Sequence, residues 1–218
     1  SVINIQSATR SQLDPGRLCS FDVEYANEQT VPLIHQDARF WLITKGSGKL
    51  LLQNNVYLLK PNMLISVMPW QISDIIEITS PLQYTLIAYN YDAITRAAKI
   101  FSNEDGLTES FLSYMESHPV ISLDETDETI EYLIETLSQE LGKESSFSAG
   151  TPLPFHNVYT VSLLVQLIIY FIRLSEKQNL KPTETRTDYT EILRYIYLHC
   201  NEKLTLEKLS SLFYCSPS

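Results

Sequence analysis

At 218 residues, 44% hydrophobic and 11% aromatic, the chain carries enough apolar material for a packed core and too much for a disordered segment. Its three cysteines, Cys19, Cys200 and Cys215, are odd in number and far apart. That spacing argues against a disulfide scaffold or a zinc site and points to a reducing compartment, the cytoplasm. The net charge of −10 is confined to the middle: residues 1–100 carry 8 basic and 8 acidic side chains, residues 181–218 carry 5 and 5, and residues 101–180 carry 3 and 13. Such asymmetry marks a change of module, with the acids on solvated helix faces or on a surface that repels nucleic acid.

Residues 1 to about 90 read as β structure. The short apolar runs FWLIT (40–44), KLLLQ (49–53), MLISV (63–67), DIIEI (74–78) and QYTLIAY (83–89) are separated by GSG, QNN, KPN and TSP, all turn-forming. Strands this closely spaced predict an antiparallel barrel or sandwich. Ser1 to Ile5 is short and lacks a basic start, so no secretory signal is expected.

Residues 92 to 180 read as helical. Asp92 can cap a helix carrying Ile94, Ala97, Ala98 and Phe101, and a second helix is expected around Phe111 to Met115. In the third, Ile130, Leu133, Ile134, Leu137 and Leu141 recur at helical spacing, with Gly142 as the expected stop. A fourth runs from about His156 to Lys177. Its apolar stretch, Val158 to Leu174, is interrupted by Thr160, Ser162, Gln166 and Arg173 and is short for a membrane span, so no membrane is expected as a partner. Being apolar nearly all round, this helix must be covered on more than one side. A second copy of the chain is expected to supply part of that cover, as a homodimer contact at Leu164, Ile168 and Phe171.

The stretch NLKPTETRTD (179–188) is polar and broken by Pro182, a linker by composition. Beyond it Ile192, Leu193, Ile196, Tyr197 and Cys200 share one helical side. In LTLEKLSSLFYCSPS, Thr205 caps a short helix carrying Leu206, Leu209, Leu212 and Phe213, and Ser216-Pro217 opens another. Helix, turn and helix start is how a DNA-reading unit begins.

The run YIYLHCNEKLTLEKLSSLFYCSPS resembles the start of the DNA-binding domain of AraC/XylS-type transcription regulators. Tyr195-Ile196, Leu204-Thr205-Leu206, Leu209, Phe213 and Ser216-Pro217-Ser218 occupy the family's places. Ser210 stands where alanine is usual and Tyr214 where glycine is common. The β-rich first part, with WLITKGSGKL, YLLKPN and VMP, is similar to the cupin-type sensor of the same family. The resemblance implies an α+β chain in four parts: a cupin-like antiparallel β-barrel over 1–90, a helical dimerisation region over 91–180, a linker over 181–188, and over 189–218 the first helices of a helix-turn-helix domain. It implies a ligand-responsive regulator, with DNA as a partner of the full-length chain. Base readout needs side chains from a helix in the major groove. The recognition helix is cut after its first residues, so this fragment is not expected to bind an operator.

Many cupins hold a metal through two histidines, a carboxylate and a third histidine. Those places fall at Leu33, His35, Arg39 and Ser73, which leaves one ligand where at least three are needed. No metal and no cofactor is therefore expected. Strand alternation puts His35, Asp37, Arg39, Trp41 and Ile43 on one face and Phe40 and Leu42 on the other, and either can be the interior. With the first face inside, Arg39, Trp41, Trp70 and His35 would hold a small polar effector, a sugar or an organic acid, the indole stacking and the guanidinium pairing. The alternative to such a site is that Trp41 and Trp70 are core fillers and Arg39 reaches solvent. No GxSxG, P-loop, HExxH or Cys-His arrangement appears, so no catalytic residue is assigned. A metal-independent cupin enzyme and a ligand-free interaction module are the competing readings.

Overall fold

A computed structural model describes residues 13–14, 16–30, 32–146 and 153–186, with backbone alone over 143–146. Leu206, Leu209, Phe213, Ser216 and Pro217 lie outside the described residues, as does the whole expected helix-turn-helix start. The fold is α+β, an antiparallel sheet followed by helices. The strands are β1 (Cys19–Ala26), β2 (Leu33–Ile34), β3 (Ala38–Leu52), β4 (Asn55–Leu59), β5 (Met63–Val67), β6 (Ile72–Tyr89), β7 (Val120–Ser122) and β8 (Glu184–Thr185). The helices are α1 (Tyr91–Ser102), α2 (Leu107–Ser117), α3 (Glu128–Ser146) and α4 (His156–Gln178).

The sheet is built around two strands longer than the sequence suggests. FWLIT and KLLLQ belong to one strand, β3, and DIIEI and QYTLIAY to another, β6, which pair with each other over most of their length. GSG and TSP are not turns here. They lie opposite one another, with register shifts between Ile43 and Leu50, so that both strands bend together. Glycine is required on the inside of that bend. A Cβ at Gly46, whose φ is +89°, would stand 2.1 Å from the Pro81 carbonyl oxygen, and one at Gly48 would stand 2.2 Å from that of Glu77. Before the bend β3 pairs with β5 on its other side, and after it with β4, while β1 and β2 add to β6.

Two strands come from stretches expected to be helical or linker. β7 extends the sheet from β5, and β8 pairs with β4 (Asn55↔Thr185, Val56↔Glu184). Asn90 rather than Asp92 caps α1, its side chain accepting from the Ala93 N–H at 3.1 Å. Gly142 does not end α3, which continues to Ser146. The five apolar residues expected on α3's inner side are buried.

Two buried clusters divide the faces of the sheet. On the convex face Phe40, Leu64, Ile87 and Tyr89 meet the helices, with Phe40 stacked on Tyr89 (ring centroids 5.6 Å) and tilted against Phe171 (5.3 Å). On the concave face Trp41, Ile43, Leu50, Tyr57, Ile65, Ile75, Tyr84 and Leu86 pack together. Residues of β3, β4, β5 and β6 reach one another there because the bend curls the sheet around them.

This arrangement corrects the expected subunit contact. Leu164, Ile168 and Phe171 are each 0% exposed inside the chain's own core. The cover that α4 requires comes from α3, α1, α2 and β7. Among the described residues α4 alone is long and apolar enough to cross a membrane by length and composition, and half of that window is buried within the fold.

Candidate functional site

The register of β1, β6, β3 and β5 resolves which face is inside. Residues directly opposite across paired strands share a face. The first row is Ser20–Ala88–Arg39–Val67, the second Asp22–Leu86–Trp41–Ile65, and the third Glu24–Tyr84–Ile43. Trp41, Ile43, Leu86 and Tyr84 belong to the concave cluster, so Arg39, one pleat away on β3, faces it too. Phe40, by the same alternation, faces the helices.

Arg39 is 3% exposed, and its Nη2 donates to the equally buried Asp37 Oδ1 at 3.2 Å. Burial lowers the Arg39 pKa, and the negative charges of Asp37 and, farther off, Glu24 work against that shift. His35 is also buried, and its pKa falls to about 4, first through burial and then through the Arg39 cation, with Asp37 opposing. The imidazole is therefore neutral at pH 7 and carries one donor and one acceptor. Trp41 stacks on Tyr84 with ring centroids 5.5 Å apart. The Tyr84 hydroxyl donates to Glu24 Oε2 at 2.8 Å, and burial followed by the Glu24 charge raises its pKa.

Several buried polar atoms on β1, β3, β6 and the segment before β3 have no hydrogen-bond partner among the described residues. They are both ring nitrogens of His35, Nε of Arg39, Nε1 of Trp41, and the hydroxyls of Ser20 and Ser73. Ser73, 1% exposed, lies opposite Leu52, which is part of the concave cluster. Burying such groups without a partner costs on the order of 1–3 kcal/mol each.

Of the four residues expected at an effector site, the structure brings His35, Arg39 and Trp41 together. Trp70 stands at the edge. It is half-buried in the turn between β5 and β6, its backbone N–H donates to the His35 carbonyl at 2.9 Å, and it lies outside the concave cluster. Its φ of +68° is costly for a tryptophan. The turn is clamped by the buried Gln71, whose Oε1 accepts from the Met68 N–H at 2.8 Å.

Ser20, Glu24 and Tyr84 escaped the sequence reading. The alternation in CSFDVEYA, polar at residues 20, 22 and 24, would have marked β1 as a strand with one polar face. Among the described residues no group of three or more His, Cys, Asp or Glu side chains is placed to hold a metal ion.

Comparison with solved structures finds a cupin 2 conserved barrel domain protein from Rhodopseudomonas palustris at 15% identity. That match covers 35% of this chain and 55% of the other, with a TM-score of 0.32. ToxT from Vibrio cholerae matches at 13% identity over 92% of this chain and 72% of its own, with a TM-score of 0.45. The AraC-like transcriptional activator CuxR matches at 14% over 83% and 58%, with a TM-score of 0.35. This chain therefore spans just over half the length of the first and the last of these proteins. Comparison by sequence with curated proteins gives no match. The family model for the AraC-like ligand binding domain matches residues 15–151, well over half of the chain and all of β1 to β7. The chain belongs to the family of AraC-like ligand binding domains.

Proposed function

We propose that the chain is the sensor portion of an AraC/XylS-type transcription regulator, and that the concave face of its cupin-like barrel binds a small, uncharged, polyhydroxylated effector. The observation that carries this reading is the set of unpartnered buried polar atoms on His35, Arg39, Trp41, Ser20 and Ser73, together with a buried ion pair. A sugar-like molecule supplies hydroxyls that both donate and accept, and it offers C–H faces to the Trp41 indole. A carboxylate fits less well. The charge of Arg39 is already met by Asp37 and Glu24, so an added anion would face both. The role is binding rather than catalysis, and the cytoplasm is its place. Operator binding belongs to the helix-turn-helix expected from residue 189 onward, in the full-length protein. A homodimer would form through the exposed side of α4, where Tyr159 and Tyr170 lie three turns apart beside Val158, and sedimentation of a Tyr159→Asp variant tests it.

A thermal-shift screen of neutral monosaccharides against mono- and dicarboxylates tests the effector reading. A ligand at 100 times its Kd adds about 2.7 kcal/mol to the folded state. At least one neutral sugar is expected to raise the melting point, and Trp41→Phe to diminish that rise. Shifts from carboxylates alone would overturn the uncharged class. No shift from any compound would favour the ligand-free module.

A further inference from the structure

After α4 the chain crosses the sheet instead of leaving it. Asn179 ends the helix in the left-handed region, and its side chain meets His118 Nε2 at 3.1 Å. The Gln178 amide grips Ser122 from both sides, accepting from its N–H at 2.8 Å and donating to its carbonyl at 2.7 Å. Five residues on, the Thr183 N–H donates to the Val56 carbonyl at 2.9 Å, β8 pairs with β4, and the Arg186 N–H donates to the Asn54 carbonyl at 2.6 Å.

One contact of this segment leads inward. The Thr185 hydroxyl donates to Asn55 Oδ1 at 3.1 Å. Asn55 and Tyr57 alternate on β4, so their side chains share a face, and the Asn55 amide acts on the Tyr57 hydroxyl. Tyr57 belongs to the concave cluster and lies directly opposite Leu50, which is 0% exposed there. A continuous path thus runs from the interior wall, through Asn55, to the edge strand.

The same segment is weakly held. Residues 183–186 are exposed, β8 is two residues long, and a cleft of about 320 Å³ lies between the segment and the sheet, bounded by Tyr57, Met63, Val120 and Leu180. Few apolar contacts and exposed backbone bonds are the marks of a region that opens locally at low cost.

We propose that residues 178–186 form a detachable strap whose seat on β4 is set by packing of the concave interior through Tyr57 and Asn55. Its attachment passes the state of that interior to the chain beyond residue 186. The inference rests on the interior being the effector site. Effector binding that moves Leu50 or Tyr57 would tighten or loosen the strap, and the coupling is reciprocal.

Hydrogen exchange of the Thr183 and Arg186 amides, measured on the 218-residue chain without added ligand, tests the strap separately from the effector. In the unaltered chain both amides are expected to be protected. Tyr57→Phe, which keeps the ring and deletes the hydroxyl, and Thr185→Val are expected to speed their exchange about two- to tenfold while β3 and β6 amides stay unchanged. Leu50→Val, an interior change with no contact to the strap, is expected to act in the same direction. Thr183→Pro removes the donor and gives the rate of the released segment. Unprotected amides in the unaltered chain would show that there is no strap. Protection that ignores both Tyr57→Phe and Leu50→Val would show a strap indifferent to the interior. Either result overturns the proposal, whatever the outcome of the sugar screen.

Discussion

Phe40 and Arg39 are neighbours on β3, equally buried, and they face two different kinds of interior. Phe40 meets Tyr89 and Phe171 in an apolar cluster that locks the sheet to all four helices. Arg39 faces the side that carries an ion pair, a neutral imidazole, an indole and two buried serines. A region optimised for stability alone would not keep those serines and that imidazole without partners, because apolar replacements of similar shape cost nothing in hydrogen bonds. The helical side therefore holds the fold, and the concave side holds polar groups suited to a ligand. Unpartnered hydroxyls of Tyr89 and Thr160 also occur on the helical side, one on β6 and one on α4.

The largest expected effect falls on the helical side. Phe171→Ala removes a ring that is 0% exposed and packed on Phe40, and should cost about 3–5 kcal/mol in urea unfolding. It should leave the association state of the folded protein unchanged, since the side chain faces inward. A loss under 1 kcal/mol, or dissociation of a dimer without loss of stability, would mean that this face is not the structural one.

Part of this division is legible in the sequence. The periodicity of α3 and α4 and the alternation of residues 39 to 43 identify what is buried and which residues share a side. They do not say which side is which, because that depends on the pairing of Arg39 with Ala88 and Val67, partners dozens of residues away. The same limit explains the misread turns. Gly46, Gly48 and Pro81 punctuate a strand whether it reverses or bends, and only the close approach of Gly46 to the Pro81 carbonyl decides for a bend. The strap was hidden for a related reason. Its composition reads as linker, and β8 exists because β4 offers an open edge. Leu164, Ile168 and Phe171 were correctly read as apolar, but the sequence alone did not count the elements available to cover them.

An intermediate effect separates the two sides by pH. His35 has an ordinary value of 6.5 and is lowered to about 4 in the fold. Between these values the unfolded chain binds a proton that the folded chain does not, so stability falls as pH drops through this window. The full contribution is present above pH 6.5, and roughly 3 kcal/mol is lost by the time pH passes below 4. His35→Gln should flatten that part of the profile. The difference between the two proteins' urea stabilities at pH 7 and pH 4.5 isolates it from the carboxylates that both share. Parallel profiles would mean that His35 is solvated and does not belong to the buried concave site.

The smallest expected change in stability is the most informative about the concave side. Ser73 is 1% exposed, and its hydroxyl has no partner among the described residues, whereas the Tyr84 hydroxyl on the same face is bonded to Glu24 at 2.8 Å. Deleting an unsatisfied buried hydroxyl relieves a desolvation cost, so Ser73→Ala should change stability by less than about 1 kcal/mol and can raise it. Deleting a hydroxyl bonded to a carboxylate forfeits that bond, so Tyr84→Phe should cost about 1.5–3 kcal/mol. Two residues on one face thus respond differently, according to whether the protein itself satisfies them. The effector response should show the reverse sensitivity for Ser73: its removal leaves the fold intact and reduces the melting-point rise given by the most effective sugar. If Ser73→Ala instead destabilises the chain as much as Tyr84→Phe, its hydroxyl already has a partner in the ligand-free protein. The concave polar groups would then be part of the fold's own bonding, and the two faces of β3 would differ in composition without differing in role.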